Sequence, residues 1–320
     1  MSEKGTGEKD KKILFSYVGL IFVVLIWGVS PIVTGVLYSY YSSAIYSAIV
    51  ALICGAVIMI YSWQKLKMLN ARYFKTAILF GVFLSIANIC QKLGLKYTTP
   101  TNYAFLENLS CIAVPFLSFW FIKKKPTLIK LIASFICLLS AFFLSGIDLS
   151  TGKISFGIGD ILCAIAGVLY GVNIAGTGAF AKDLDSGLYV MIQMFVQFVL
   201  SMTTAIAFSV IKINGAVIEE INISFNLLHL LFIAIVAIVT NAICWVVRAK
   251  ALKVVDATFV AIIMPFSSII TSIISILMGK ENVTWGFVIG VTLGVLAILV
   301  SILSDIREIK GDNNDKLKNE

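Results

Sequence analysis

Ten apolar stretches, each close to 20 residues and separated by short polar breaks, dominate the chain. They fall at 15–38, 43–63, 74–95, 100–122, 127–146, 157–181, 187–211, 228–252, 257–279 and 284–304. A helix needs about 20 apolar residues to cross the hydrocarbon core of a bilayer. The pattern therefore predicts an all-α integral membrane protein with ten transmembrane helices. Most connections are short; the one from Lys212 to Leu227 has room for a small amphipathic segment. Residues 1–14 and 305–320 stand outside the apolar pattern as polar tails.

The pattern also repeats. Shifting the sequence by 157 residues lays 94–126 on a later stretch, and positions 95–139 share eleven identities with 252–296 without a gap. Thr99 and Asp256 fall together, each a good N-cap before an apolar helix, and Pro100 suits a first helical position. Earlier in each copy, Trp27-Gly28 lies over Tyr170-Gly171 at an offset of 143. The chain thus reads as two five-helix repeats, 15–146 and 157–304. An odd number of crossings per repeat requires the copies to be inverted relative to one another.

Composition agrees: 59% of residues are hydrophobic and 13% charged, where soluble domains carry about 25% charge. Lys and Arg outnumber Asp and Glu, 25 to 17, but no basic stripe with interleaved aromatics points to nucleic acid. Twenty of those cations fall on the side carrying both termini and five on the other. By the positive-inside rule this predicts a multi-pass protein of the cell membrane with both termini cytoplasmic. The apolar run after the basic N-terminus is too long for a signal peptide and is kept as the first span. The six cysteines lie inside apolar spans without CxxC spacing and read as packing residues, and no metal, phosphate-loop or cofactor motif is present. Gly157-Ile158-Gly159-Asp160 fits the GxGD pattern of intramembrane aspartyl proteases, but Asp148, Asp160 and Asp256 lie at span edges on different faces, and an enzyme is not expected.

Five features carry a resemblance: the WGxSP run at 27–31, GLKYTT-x-x-N-x-x-F at 94–105, the stretch from Pro115 to the basic cluster before Pro126, Gly159-Asp160, and ALKVVDA at 251–257. In this order and spacing the chain resembles the ten-helix drug/metabolite transporter superfamily, and within it the EamA-type permeases. The resemblance implies two inverted bundles around a central pathway, alternating access, and a small-molecule cargo such as an amino acid or related metabolite, often exported. A non-transporting scaffold or sensor subunit is the alternative.

Polar residues inside spans are costly and should face the protein interior. The candidates for the substrate pathway are Glu107, a carboxylate well inside the fourth span; Asn88 and Gln91, in a polar strip on the third; Asn241 and Trp245 on the eighth; Trp27, Asn173 and Gln193. Lys92 or Lys96 is the expected structural partner of Glu107. Lys92 and Arg248 lie nearer the membrane faces, where snorkelling is the expectation. Gly286, Gly290 and Gly294 form a close-packing face on the tenth span, suited to the fifth helix or to a homodimer.

Overall fold

The computed structural model describes residues 2–98, 105–123, 125–144, 157–213, 216–279 and 282–318. The Thr99–Pro100 cap, Lys124, Asp148 and Lys280 lie outside them. Ten helices are described: α1 Ser2–Leu37, α2 Ser43–Tyr61, α3 Ala71–Tyr97, α4 Phe105–Ile122, α5 Leu128–Leu144, α6 Ile158–Phe180, α7 Ser186–Val210, α8 Leu227–Ala251, α9 Ala257–Leu277 and α10 Trp285–Lys318. Nine are long and apolar enough to span a membrane, and α5 is a shorter apolar helix. The protein is a multi-pass helical membrane protein. The segments read as tails prove continuous with helices, since α1 begins at Ser2 and α10 runs to Lys318.

Local chemistry sets the helix starts. Asn70 accepts hydrogen bonds from the Arg72 and Tyr73 amides, Asp185 from Gly187 and Leu188, Asn226 from Leu228 and Asp256 from Thr258. Each is an N-cap satisfying amides that have no acceptor within the helix. Asp160 closes the start of α6 in the same way, accepting from the Gly157 amide at 2.7 Å and from the Thr98 hydroxyl. Its position in GxGD therefore has a structural account.

The repeats interlock rather than sit side by side. The extensive pairings, α3 with α6 and α7, α2 with α7, α5 with α10, α4 with α6 and α1 with α9, all join one repeat to the other. Two glycines show the equivalence of the repeats in atomic terms. A Cβ on Gly28 of α1 would meet the Ile270 side chain at 2.5 Å and the Ser267 carbonyl at 2.9 Å on α9. A Cβ on Gly171 of α6 would meet Ala113 at 3.1 Å and Ser110 at 3.6 Å on α4. Ser110 and Ala113 are the positions 157 residues before Ser267 and Ile270. Each repeat thus lays its first helix on the other's fourth by the same contact. Gly286, Gly290 and Gly294 approach Phe143, Leu144 and Ser140 of α5, within the chain.

The two ends of the bundle are closed differently. At the end carrying the termini, buried clusters built on Tyr73, Leu188 and Tyr189, and on Leu20, Leu252 and Phe259, fill the centre. Lys130 of α5, almost fully buried, sits there 3.2 Å from both Asp256 and Asp305, and Tyr17 donates to Asp305 at 3.0 Å. At the other end, the α7–α8 connection does not form an amphipathic segment. It makes a short hairpin, β1 Lys212–Ile213 with β2 Ala216–Val217, and then an extended strap. Glu219 explains the departure: its carboxylate accepts from the Ser43 amide at 2.7 Å, the Ser43 hydroxyl at 3.1 Å and the Ala44 amide at 3.3 Å, capping α2. An extended strand, not a helix, delivers that carboxylate across the bundle. Tyr41 and the Ser42 amide also donate to the strap, at Ser224 and Asn222 carbonyls.

Candidate functional site

Between the repeats lies a cavity of about 1060 Å³. It reaches from Trp27, Tyr170 and Arg248 in the middle of the bundle to Tyr38, Lys96 and Glu219 at the strap end. Both repeats build it from equivalent positions. α4 and α9 are each interrupted, α4 at residues 108–109 and α9 at Met264–Pro265, and under the 157-residue shift the two breaks fall within one residue of each other. Glu107 and Met264 are equivalents at these breaks, and both line the cavity. Interrupted helices at the midplane expose backbone and side chains to an enclosed site while the rest of each helix remains satisfied.

One wall belongs to α3, α4 and α6. Tyr170 donates to Gln91 Oε1 at 2.7 Å, and Gln91 Nε2 donates to Glu107 Oε1 at 2.8 Å. This chain fixes the amide orientation of Gln91 and presents the carboxylate to the cavity. Asn88, one turn earlier, bonds back to the Leu84 carbonyl at 3.0 Å while still lining the space. Lys92 and Lys96 are not the partners of Glu107. Lys92 donates to the Ser43 carbonyl at 3.1 Å and Lys96 to the Ile218 carbonyl, both toward the strap. A lysine late in α3 reaches the α2 start and the strap more readily than a carboxylate beside its own helix.

The facing wall belongs to α1 and α8. Trp27 and Trp245 meet with ring centroids 5.4 Å apart at 56°, and Trp27 Nε1 donates to the Thr240 carbonyl at 2.7 Å. That carbonyl lies in a π-helical stretch, Ala237–Ile243, which interrupts the regular α-helical ladder. Such π turns cluster at functional sites. Asn241 lies in the same stretch and donates to Thr240 Oγ1 at 2.8 Å. Arg248 does not snorkel. Its side chain is buried, its guanidinium carbon lies 4.1 Å above the Trp245 ring, and Nη2 donates to Asn173 Oδ1 at 2.6 Å.

Of the eight pathway candidates, Trp27, Asn88, Gln91, Glu107, Asn241 and Trp245 share this cavity. Asn173 and Gln193 do not line it. Asn173 is completely buried behind the wall, donating to the Phe80 carbonyl at 3.1 Å and holding Arg248, and Gln193 donates to the Tyr189 hydroxyl at 3.0 Å in the termini-side core. Polarity within a span marks the protein interior, but packing between helices and lining of a cavity both satisfy that demand. Arg248, Tyr170, the π stretch and Glu219 are additions that polarity alone did not single out. A signal for two of them exists: Arg248 is the 157-residue equivalent of Gln91, and Tyr170 the 143-residue equivalent of Trp27.

Fold and site together define a class: an inverted-repeat membrane protein with a polar, aromatic-walled cavity at its centre. Residues 14–146 and 157–303 each match the EamA-like transporter family, and the chain belongs to that family of membrane transporters. An uncharacterized transporter of Archaeoglobus fulgidus is 27% identical over 205 residues, covering 62% of this chain. The chain spans 61% of that relative's length. A crystal structure of another protein superposes with a TM-score of 0.72 at 15% identity, covering 93% of this chain and 98% of that one, which speaks to the fold alone.

Proposed function

We propose that this protein is a secondary transporter of the cell membrane, its termini cytoplasmic, that carries a small polar metabolite through the central cavity by alternating access, in the direction of export. The observation that carries this reading is the cavity itself, walled by equivalent positions of two inverted repeats with the helix breaks of α4 and α9 at its middle. A cavity of about 1060 Å³ is ample for a metabolite. The apolar plug at the termini-side end and the strap at the other supply two separable closures, as rocking of one half against the other requires.

The test is flux in proteoliposomes against a panel of labelled small metabolites, with Ser268→Trp as a variant that fills the cavity from α9. Protein-dependent movement of a cargo, abolished in the filled variant while its elution profile stays monodisperse, supports transport. A folded protein that moves nothing across the panel counts against it. For orientation, a cysteine replacing the exposed Lys67 in the turn between α2 and α3 should resist an impermeant maleimide on intact cells. Ready labelling would reverse the topology.

A further inference from the structure

Arg248 has an environment that the fold does not complete. Its residue exposure is 4%, yet it lines the cavity. Nη2 is satisfied by Asn173, itself held in orientation by the Phe80 carbonyl, but Nε is buried without an acceptor. No carboxylate among the described residues forms an ion pair with it. A guanidinium offers five N–H donors in a planar fork, and burying it without a counter-charge costs several kcal/mol. Stacking on Trp245 offsets part of this cost but leaves the in-plane Nε donor unmet.

From this geometry we infer that Arg248 is the anchor for an anionic head group of the cargo, specifically a carboxylate, with the cargo's apolar part against the Trp27–Trp245 pair. The inference rests on the transporter reading and names its substrate class. A carboxylate matches the fork in two parallel bonds. A dianion such as phosphate is disfavoured because Glu107 lines the same cavity. Among the described residues the cavity's two lysines are engaged at its strap end, on the Ser43 and Ile218 carbonyls, and Arg248 of the second repeat supplies the cation in the middle. In the first repeat the equivalent residue is the neutral Gln91.

The test uses the purified full-length protein in detergent and phenylglyoxal, which modifies accessible arginines, with adducts read by peptide mass spectrometry. The chain has three arginines, Arg72, Arg248 and Arg307, and the exposed Arg72 is the internal control. Benzoate should slow modification of Arg248 several-fold and leave Arg72 unchanged, whereas the neutral isostere benzamide should protect neither. Equal Arg248 rates in benzoate and benzamide, or an Arg248 that stays unmodified while Arg72 reacts, would overturn the assignment. A benzoate-dependent rise in Tm should weaken in Arg248→Lys and vanish in Arg248→Gln; a rise of equal size in Arg248→Gln would also overturn it. The two readings fail separately. Protection without any flux counts against transport alone, and flux of a cargo that is untouched by Arg248→Gln counts against the anchor alone.

Discussion

The two repeats share a scaffold and differ in their charges. The breaks in α4 and α9 fall within one residue of each other, Gly171 of α6 packs on α4 as Gly28 of α1 packs on α9, and Tyr170 stands where Trp27 stands. At three equivalent positions, however, the first repeat has Gln91, Glu107 and Lys130, and the second has Arg248, Met264 and Phe287. The common fold gives the cavity its shape, while divergence at the first two of these positions puts the Glu107 carboxylate on one wall and the Arg248 guanidinium on the other. Shape and polarity can therefore be perturbed separately.

The largest effect is expected at Lys130. Replacing it with Met leaves Asp305 buried and Asp256 half-exposed without their shared cation, and breaking such a buried pair costs about 3–5 kcal/mol. Unfolding in detergent should show the loss, and Lys130→Met combined with Asp305→Asn should recover much of it. An unchanged transition would mean that the repeats do not depend on this ion cluster.

A smaller difference should separate the two glycines. Gly28→Ala drives a methyl into Ile270 and the Ser267 carbonyl and should cost about 1–3 kcal/mol as overpacking. Gly171→Ala is tight against Ala113 alone, at 3.1 Å, with Leu117 and Ser110 at the ordinary contact distances of 3.5 and 3.6 Å, and Ala gains about 0.8–1 kcal/mol over Gly in helix propensity, so its stability should stay near that of the parent. Equal losses would show that the two contacts are not the unequal pair they are in the structure.

Glu107 tests polarity without altering shape. Glu107→Gln preserves the volume and an acceptor for Gln91, and flux of the identified cargo should fall about tenfold, or about 1.4 kcal/mol in barrier. Unchanged flux across pH would remove this carboxylate from the mechanism, whereas Met264→Glu is expected not to substitute for it.

The smallest expected effect concerns helix starts. Asp185 caps α7, and its equivalent at the start of α2, Ser42, makes no side-chain cap bond. Burial pushes the Asp185 carboxyl up, but the Lys65 ammonium and the Leu188 and Gly187 amides outweigh it and hold the group below the usual carboxylate range. A depressed folded value contributes stability above the unfolded value of about 3.9 and loses it as pH falls through the folded value. Asp185→Ala should thus cost about 1 kcal/mol near neutral pH, shrinking as the pH is lowered below about 4. A gap that stays constant with pH would show that the charge of Asp185 contributes nothing.

Hydropathy, offset identities and loop charges made the ten helices, the duplication and its inversion legible, because each is a property of sequence position. Six of the eight pathway candidates share one cavity for the same reason: a polar group within a span must turn inward. What polarity could not separate was Asn173, which supports the wall, from Asn241, which lines it. Arg248 sits in the last turn of its helix, where a basic residue ordinarily reaches for water, and only the π stretch, Trp245 and Asn173 explain why it turns inward. The strap was illegible because its purpose lies at the other end of a long sequence separation.

That separation has a consequence for how the chain is made. The amides of Ser43 and Ala44 wait for a carboxylate 176 and 175 residues further along, so α2 enters the membrane well before its cap is synthesised. The first repeat can be inserted early but is finished only by its twin. The two copies of a half are joined by the reach of Glu219, and the order of translation is also the order in which their hydrogen bonds can be completed.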